Sequence, residues 1–248
     1  MIDAISNSDS GGAPAYRLLA NKIIEQILAG DHPVGSLLPP EMELAEQFGV
    51  HRSTVREGIR LLEETGMLRR KSMRRMVVAV PEQSRLAERG VQALLMRRVS
   101  ILTMYEANLA LEPVFARLAA SQATDTQIAR LRDNVDATRS GLNEHSLEAL
   151  DAQFHQLLSE ATNNPALMIV RQPLQDLFIP MVAALVRAID TRRRMVDAHS
   201  AIVDAIVARD GERAEKWMRQ HVEDFKRGMI RAGLDMTRVV ALNAEPLK

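Results

Sequence analysis

The sequence contains no cysteine. Disulfide frameworks, thiolate-bound metals and cysteine nucleophiles are thereby excluded, and the composition agrees with a reducing, cytoplasmic setting. Aromatic residues are scarce, at 3% of 248, so a core has to be assembled from Leu, Ala, Val, Ile and Met. That favours packed helices over a sheet sandwich. Neither charge is in excess, since 32 basic residues balance 32 acidic ones. Any attraction to nucleic acid must therefore come from local clustering. No stretch approaches the apolar length of a membrane span, and the N-terminus lacks the basic-then-apolar order of a signal peptide. No membrane is expected as a partner. With 46% hydrophobic and 26% charged residues, the chain is ordinary globular material, enough for one large domain or two modest ones.

What is present begins with FGVHRSTVREGIRLL, residues 48 to 62. Val55, Ile59 and Leu62 recur at helical spacing, while Arg52, Arg56 and Arg60 recur one turn apart on another face. A short helix is expected just before it, around 41 to 48, with a turn at Gly49; a longer one is expected near 15 to 29. LRRKSMRRMVVAV, from residue 68, reads as two short strands with basic residues between them. Two short helices around a tight turn make a helix-turn-helix, whose second helix enters the major groove, and a basic hairpin after it makes the winged variant. Arg suits that role because its planar fork grips a guanine edge or a phosphate, and Ser53 and Thr54 reach phosphate or a thymine methyl. The plainer reading is a solvated basic face on an ordinary helix pair.

Beyond Pro81 the pattern is helical to about residue 233, in segments 84–97, 100–122, 125–141, 146–162, 165–190, 192–209 and 211–233. The breaks carry helix-capping chemistry: Thr124-x-x-Gln127 is a capping box, Asn164-Pro165 an N-cap before a first-turn proline, and Asp210-Gly211 separates two helices. In DAQFH, Asp151 and His155 lie one turn apart on an apolar stripe, and such groups need partners if buried. His199 and His221 follow on later helices. Three His and one Asp from three helices suit a divalent metal in a bundle. Satisfied core histidines, or an Asp151–His155 ion pair, fit the same spacing.

LLPPEMELAEQFGVHRSTVREGIRLLEETGML, with the helix and PVGSLLP turn before it, resembles the N-terminal signature of the GntR family of bacterial transcription regulators. The resemblance implies a winged helix-turn-helix in which Arg52, Ser53, Thr54 and Arg56 match DNA-contacting positions, with Arg74 and Arg75 on the wing. Met42 departs from it, standing where many members have an operator-reading Arg. His51 stands where Ser or Thr usually caps the recognition helix, and the wing tip Ser72-Met73-Arg74-Arg75 lacks a glycine. The extra wing arginines favour phosphate contacts, which add affinity and salt sensitivity but no sequence information.

Residues 84 to 230 are similar to the helical FCD effector domain of the FadR branch of that family. Asp151, His155, His199 and His221 match its metal-binding subset in order and spacing, which implies a divalent ion (Zn, Ni or Mn) and a small-molecule effector, a carboxylate filling open metal positions. Asn108, in EANLALEP, stands where that family has an Arg that helps bind an acidic effector. An amide does not neutralise a carboxylate, so the effector is less acidic, another Arg substitutes (Arg187 or Arg192 to Arg194), or the pocket has drifted.

The expected protein is mainly α. Its layout is a flexible tail over 1–14, a winged helix-turn-helix over 15–80, a linker over 81–84, an all-α effector-binding and dimerisation domain over 85–233 and a C-terminal tail over 234–248. It acts as a homodimeric, ligand-responsive transcription regulator, by family analogy a repressor, on a palindromic double-stranded operator. The alternative is a metal-dependent hydrolase that uses the three-His, one-Asp site to activate water. No further His or carboxylate is placed as a general base, because His32, His51 and His145 fall in turns or in the other domain.

Overall fold

A computed structural model describes residues 13–72, 75–140 and 146–241. It divides into two compact units, one within residues 1–85 and one within 86–248. The protein is mainly helical, with one small sheet after the first three helices. Most of the tail expected over 1–14 lies outside the described residues, as do Arg74 at the wing tip and His145.

The first unit comprises α1 (Ala15–Ala29), α2 (Glu41–Phe48), α3 (Arg52–Glu64), β1 (Leu68–Ser72) and β2 (Arg75–Val78). Gly30 and Gly49 end α1 and α2 with φ of 90° and 64°. That left-handed conformation lets the next backbone N–H groups reach back: Asp31 bonds Gln26 O at 2.9 Å and Val50 bonds Ala45 O at 3.1 Å. Leu19, Ile23, Leu44, Phe48, Val55 and Leu62 meet in a sealed core. The strands pair antiparallel, Leu68 opposite Val78 and Arg70 opposite Met76. β1 turns only Leu68 inward, so its basic residues face solvent along the strand itself rather than only at the tip. GDHPVGSLLPP, which reads in the sequence as helix-stopping punctuation, also backs the sheet. Gly35 N–H donates to Val78 O at 2.8 Å and Leu38 N–H to Met76 O at 3.0 Å.

The second unit contains α4 (Gln83–Met96), α5 (Ile101–Gln122), α6 (Asp125–Ser140), α7 (Leu147–Glu160), α8 (Pro165–Ala188), α9 (Arg192–Val207) and α10 (Gly211–Arg231). Each lies within two residues of the span its periodicity predicts, and α4 takes in Gln83 and Ser84 of the expected linker. The capping box forms: Gln127 N–H donates to Thr124 Oγ1 at 3.2 Å and Thr124 N–H to Gln127 Oε1 at 2.9 Å. Asn164 Oδ1 accepts from Ala166 and Leu167 N–H, and Asp210 Oδ1 from Arg213 N–H.

Two expectations change. α8 has 24 residues and an apolar window of mean hydropathy 1.3, long and apolar enough by composition to cross a membrane. The sequence does therefore hold a stretch of that length. In the fold, however, it packs against α5, α7 and α10 and buries the charged Arg171 in an ion pair. The C-terminal segment through residue 241 is also docked. Leu102 N–H donates to Met236 O at 2.8 Å and Ile101 N–H to Arg238 O at 3.0 Å, so residues 236–238 satisfy free donors in the first turn of α5. Met236 and Val240 are buried beneath.

Gly58 gives a mutational test of the first unit. A Cβ there would sit 3.0 Å from Leu19 Cδ2 and 3.1 Å from Tyr16 O, so α1 and α3 cross where a side chain is missing. Gly58→Val should lower the unfolding free energy by about 1–3 kcal/mol. Urea denaturation measures it, and unchanged stability would mean that α1 yields at the crossing.

Candidate metal centre and nucleic-acid interface

On α3, Val55, Ile59 and Leu62 lock one face into the core, which turns Arg52, Ser53, Arg56 and Arg60 outward. Thr54 is half-buried and Arg75 on β2 is exposed. His51 occupies the N-cap of α3 and makes no side-chain cap bond. Glu41, a residue that the periodicity does not single out, reaches across from the start of α2. Its carboxylate accepts from Arg56 Nη2 at 3.1 Å and lies 3.9 Å from Arg52 Nη2. Two of the outward arginines are thus held against one acid. The only signal for it in the sequence is an acidic residue directly after two prolines, at a helix N-terminus where the dipole favours it.

In the second unit, α7 supplies Asp151 and His155, α9 supplies His199 and α10 supplies His221. One ligand atom from each lies within 4.8 Å of all the others. The Nε2 atoms of His155 and His199 each stand 3.3 Å from Nε2 of His221. Asp151 Oδ1 faces those of His199, His221 and His155 at 3.5, 3.8 and 3.9 Å. Asp151 Oδ1 is buried and accepts no hydrogen bond. Ligand atoms about 2.1 Å from a common ion stand roughly 3.0–3.4 Å apart in octahedral or tetrahedral geometry. These residues fit a divalent cation: three imidazole nitrogens and one orphaned carboxylate oxygen point at one place.

The electrostatics agree. Burial, then the neighbouring His221 and His155, pushes His199 well below its ordinary pKa, and burial followed by His155 brings His221 down to about 3. Both rings therefore present neutral lone pairs. Burial raises the Asp151 carboxyl, which a cation would hold ionised. His155 differs. Burial lowers it, but Glu112 outweighs that and leaves it raised. The His155 Nδ1–H donates to Glu112 Oε2 at 2.7 Å, which turns Nε2 toward the other rings. His199 is further fixed by stacking on Phe154, ring centroids 3.7 Å apart.

Glu112 and its partner Arg171 are what sequence reasoning missed. Arg171 Nε donates to Glu112 Oε1 at 2.8 Å, and its Nη1 bonds Gln175 Oε1. Gln175 in turn donates to Ala152 O on α7 at 2.7 Å. Burial pushes Glu112 up, yet Arg171 and His155 together bring it to about 2. The available signal was an arginine directly after the apolar run Ala166–Val170 of a helix, because a buried charge requires a partner.

A cavity opens beside the ligands, lined by Asp151, His155 and His221 at one part and by apolar side chains of α8, α9 and α10 elsewhere. Asn108 lines it too, 7% exposed, with Nδ2 donating to Met104 O of its own helix at 2.8 Å. Of the arginines expected to substitute for a charge at that position, Arg194 lines the cavity. Arg187 and Arg193 are exposed, and Arg192 donates to Thr138 O. Arg171 lines it with its charge already matched.

Glu112→Gln should lower the unfolding free energy of the metal-free protein by about 3–5 kcal/mol, since Arg171 then lies buried without a counter-charge. Chemical denaturation reads the change. A loss below 1 kcal/mol would show that the pair is solvated.

Residues 15–78 match the profile of "Bacterial regulatory proteins, gntR family" and residues 103–224 match the "FCD domain". The HTH-type transcriptional regulator YcbG of Bacillus subtilis is 30% identical, over 88% of this chain and 93% of its own length. The HTH-type transcriptional repressor NanR of Cronobacter sakazakii is 29% identical, over 89% and 88% respectively. A solved structure titled Streptococcus agalactiae GntR aligns with a TM-score of 0.61 at 26% identity, covering 86% of this chain and 99% of that one.

Proposed function

The chain belongs to the GntR family of bacterial transcriptional regulators with an FCD domain, and from that membership we propose that it is a cytoplasmic, homodimeric repressor released by a small carboxylate. Arg52, Ser53, Thr54 and Arg56 read the major groove, and the wing, with Arg75 and the undescribed Arg74, grips phosphate. The exposed arginine row on a helix locked by its opposite face supports this. Two copies related by a two-fold axis would meet a palindromic operator.

The observation that carries the effector half is the orphaned Asp151 Oδ1 facing three imidazole Nε2 atoms. Asp151, His155, His199 and His221 would hold a divalent ion (Zn, Ni or Mn), which supplies a Lewis-acidic point for an effector carboxylate in the adjoining cavity. Glu112 orients His155, and Arg171 with Gln175 holds Glu112 against α7. Effector binding shifts operator affinity, and DNA shifts effector affinity by the same factor. The two Glu112 oxygens are already engaged by His155 and Arg171, so this carboxylate has no free oxygen with which to act as a general base.

Two measurements test the proposal. Native mass spectrometry should give a dimer with one metal per chain, lost in His199→Ala; a metal-free spectrum after incubation with Zn, Ni and Mn would return the histidines to structural duty. The double variant Arg52→Ala/Arg56→Ala should stay folded and lose gel-shift binding to operator DNA selected from a random pool. Undiminished binding would remove α3 from the groove.

A further inference from the structure

The walls of the cavity say more about its ligand than its metal end does. Phe178, Val182, Leu185, Met195, Val222 and Phe225 line it. Phe178 and Phe225 meet with ring centroids 4.6 Å apart. Glu148, Gln175, Thr191 and Arg194 also line the cavity, so the apolar wall is one side of it. A hydroxyl laid against that side would lose its water and gain no partner there, whereas a methyl group is stabilised.

The charges around the cavity nearly cancel. Glu112 is matched by Arg171 at 2.8 Å, and Asp224 by Arg227 at 2.8 Å. Glu148 and Arg194, both half-exposed, also line the cavity and bring opposite signs. Asn108 brings no charge, and one of its two amide N–H groups bonds Met104 O. What remains is a divalent ion less the charge of Asp151, a formal surplus of about one positive charge. One carboxylate neutralises it, and a second would be buried without a counter-ion. The cavity measures ≈ 80 Å³, which suits a small ligand.

We propose that the effector is a small monocarboxylate with an apolar, branched or compact hydrocarbon body, rather than a polyhydroxylated or dicarboxylic acid. This rests on the carboxylate-effector reading above and narrows it. The preference is set by the α8 and α10 walls, and Asn108 supplies no charge for a second acidic group.

The test uses the full-length, Zn-loaded protein and three acids of similar size: 3-methylbutanoate, glycerate and succinate. Isothermal titration should show 3-methylbutanoate binding about tenfold or more tightly than either other acid. Phe178→Asn, at a half-buried wall position, should bring the ratio to glycerate near one while the circular dichroism spectrum is unchanged. Val182→Thr serves as a second wall variant with the same expectation. Glycerate or succinate binding as tightly as 3-methylbutanoate overturns the apolar class but leaves a carboxylate effector standing. Failure of all three acids to bind overturns both readings. A 3-methylbutanoate preference unmoved by both wall variants overturns the assignment of the wall.

Discussion

The helical unit is organised around a single buried carboxylate. Glu112, 2% exposed, is reached by Arg171 of α8 and His155 of α7 while it sits on α5. A charge so placed is tolerated because both of its oxygens are matched, and removing any one partner leaves another uncompensated. Its effect is to tie α5, α7 and α8 together at one point within the apolar core. The same contact sets the ring orientation of His155, and so the direction of its Nε2. Packing and site geometry are consequences of one interaction here, and the cavity lies along its edge.

Local and periodic signals made much of the architecture legible. Each helix declared itself by apolar spacing, and the capping residues Thr124, Asn164 and Asp210 placed the breaks because a cap acts within three residues of itself. Asp151 and His155 stood out for the same reason, since they share a face at one-turn spacing. What stayed hidden depended on distant partners. Arg171 looks like a lone charge until α5 is beside it, and Glu41 looks like a helix-start acid until α3 lies across it. Residues 236–240 carry no periodicity at all, because their role is to satisfy backbone donors of another helix. The apolar length of α8 was also underestimated, since Arg171, Gln172, Gln175 and Asp176 interrupt a long hydrophobic stretch.

The arginine-bearing face of α3 follows a different logic from the His and Asp cluster. Its arginines are solvated, and Glu41 restrains two of them at distances where exposed pairs contribute little stability. What the acid contributes instead is a starting geometry. Arg52 and Arg56 are drawn toward one point between α2 and α3, and any phosphate that replaces Glu41 has to approach there. Along β1 the basic residues stand free of such restraint at Arg69 and Lys71. The basic surface thus divides into a restrained part on α3 and a diffuse electrostatic part on β1.

The docking of residues 236–240 onto the start of α5 bears on when this unit can fold during synthesis. The first turn of α5 waits for hydrogen-bond acceptors that leave the ribosome more than a hundred residues later. Until then Ile101 and Leu102 have no native partner for their N–H groups, and Met236 and Val240 are missing from the core beneath them. The winged unit, whose contacts close within its own first 85 residues, carries no such delay. The nascent chain therefore passes through a stage with a finished reading head and an open bundle. The FCD unit reaches its native set of contacts only once residues 236–240 have been made.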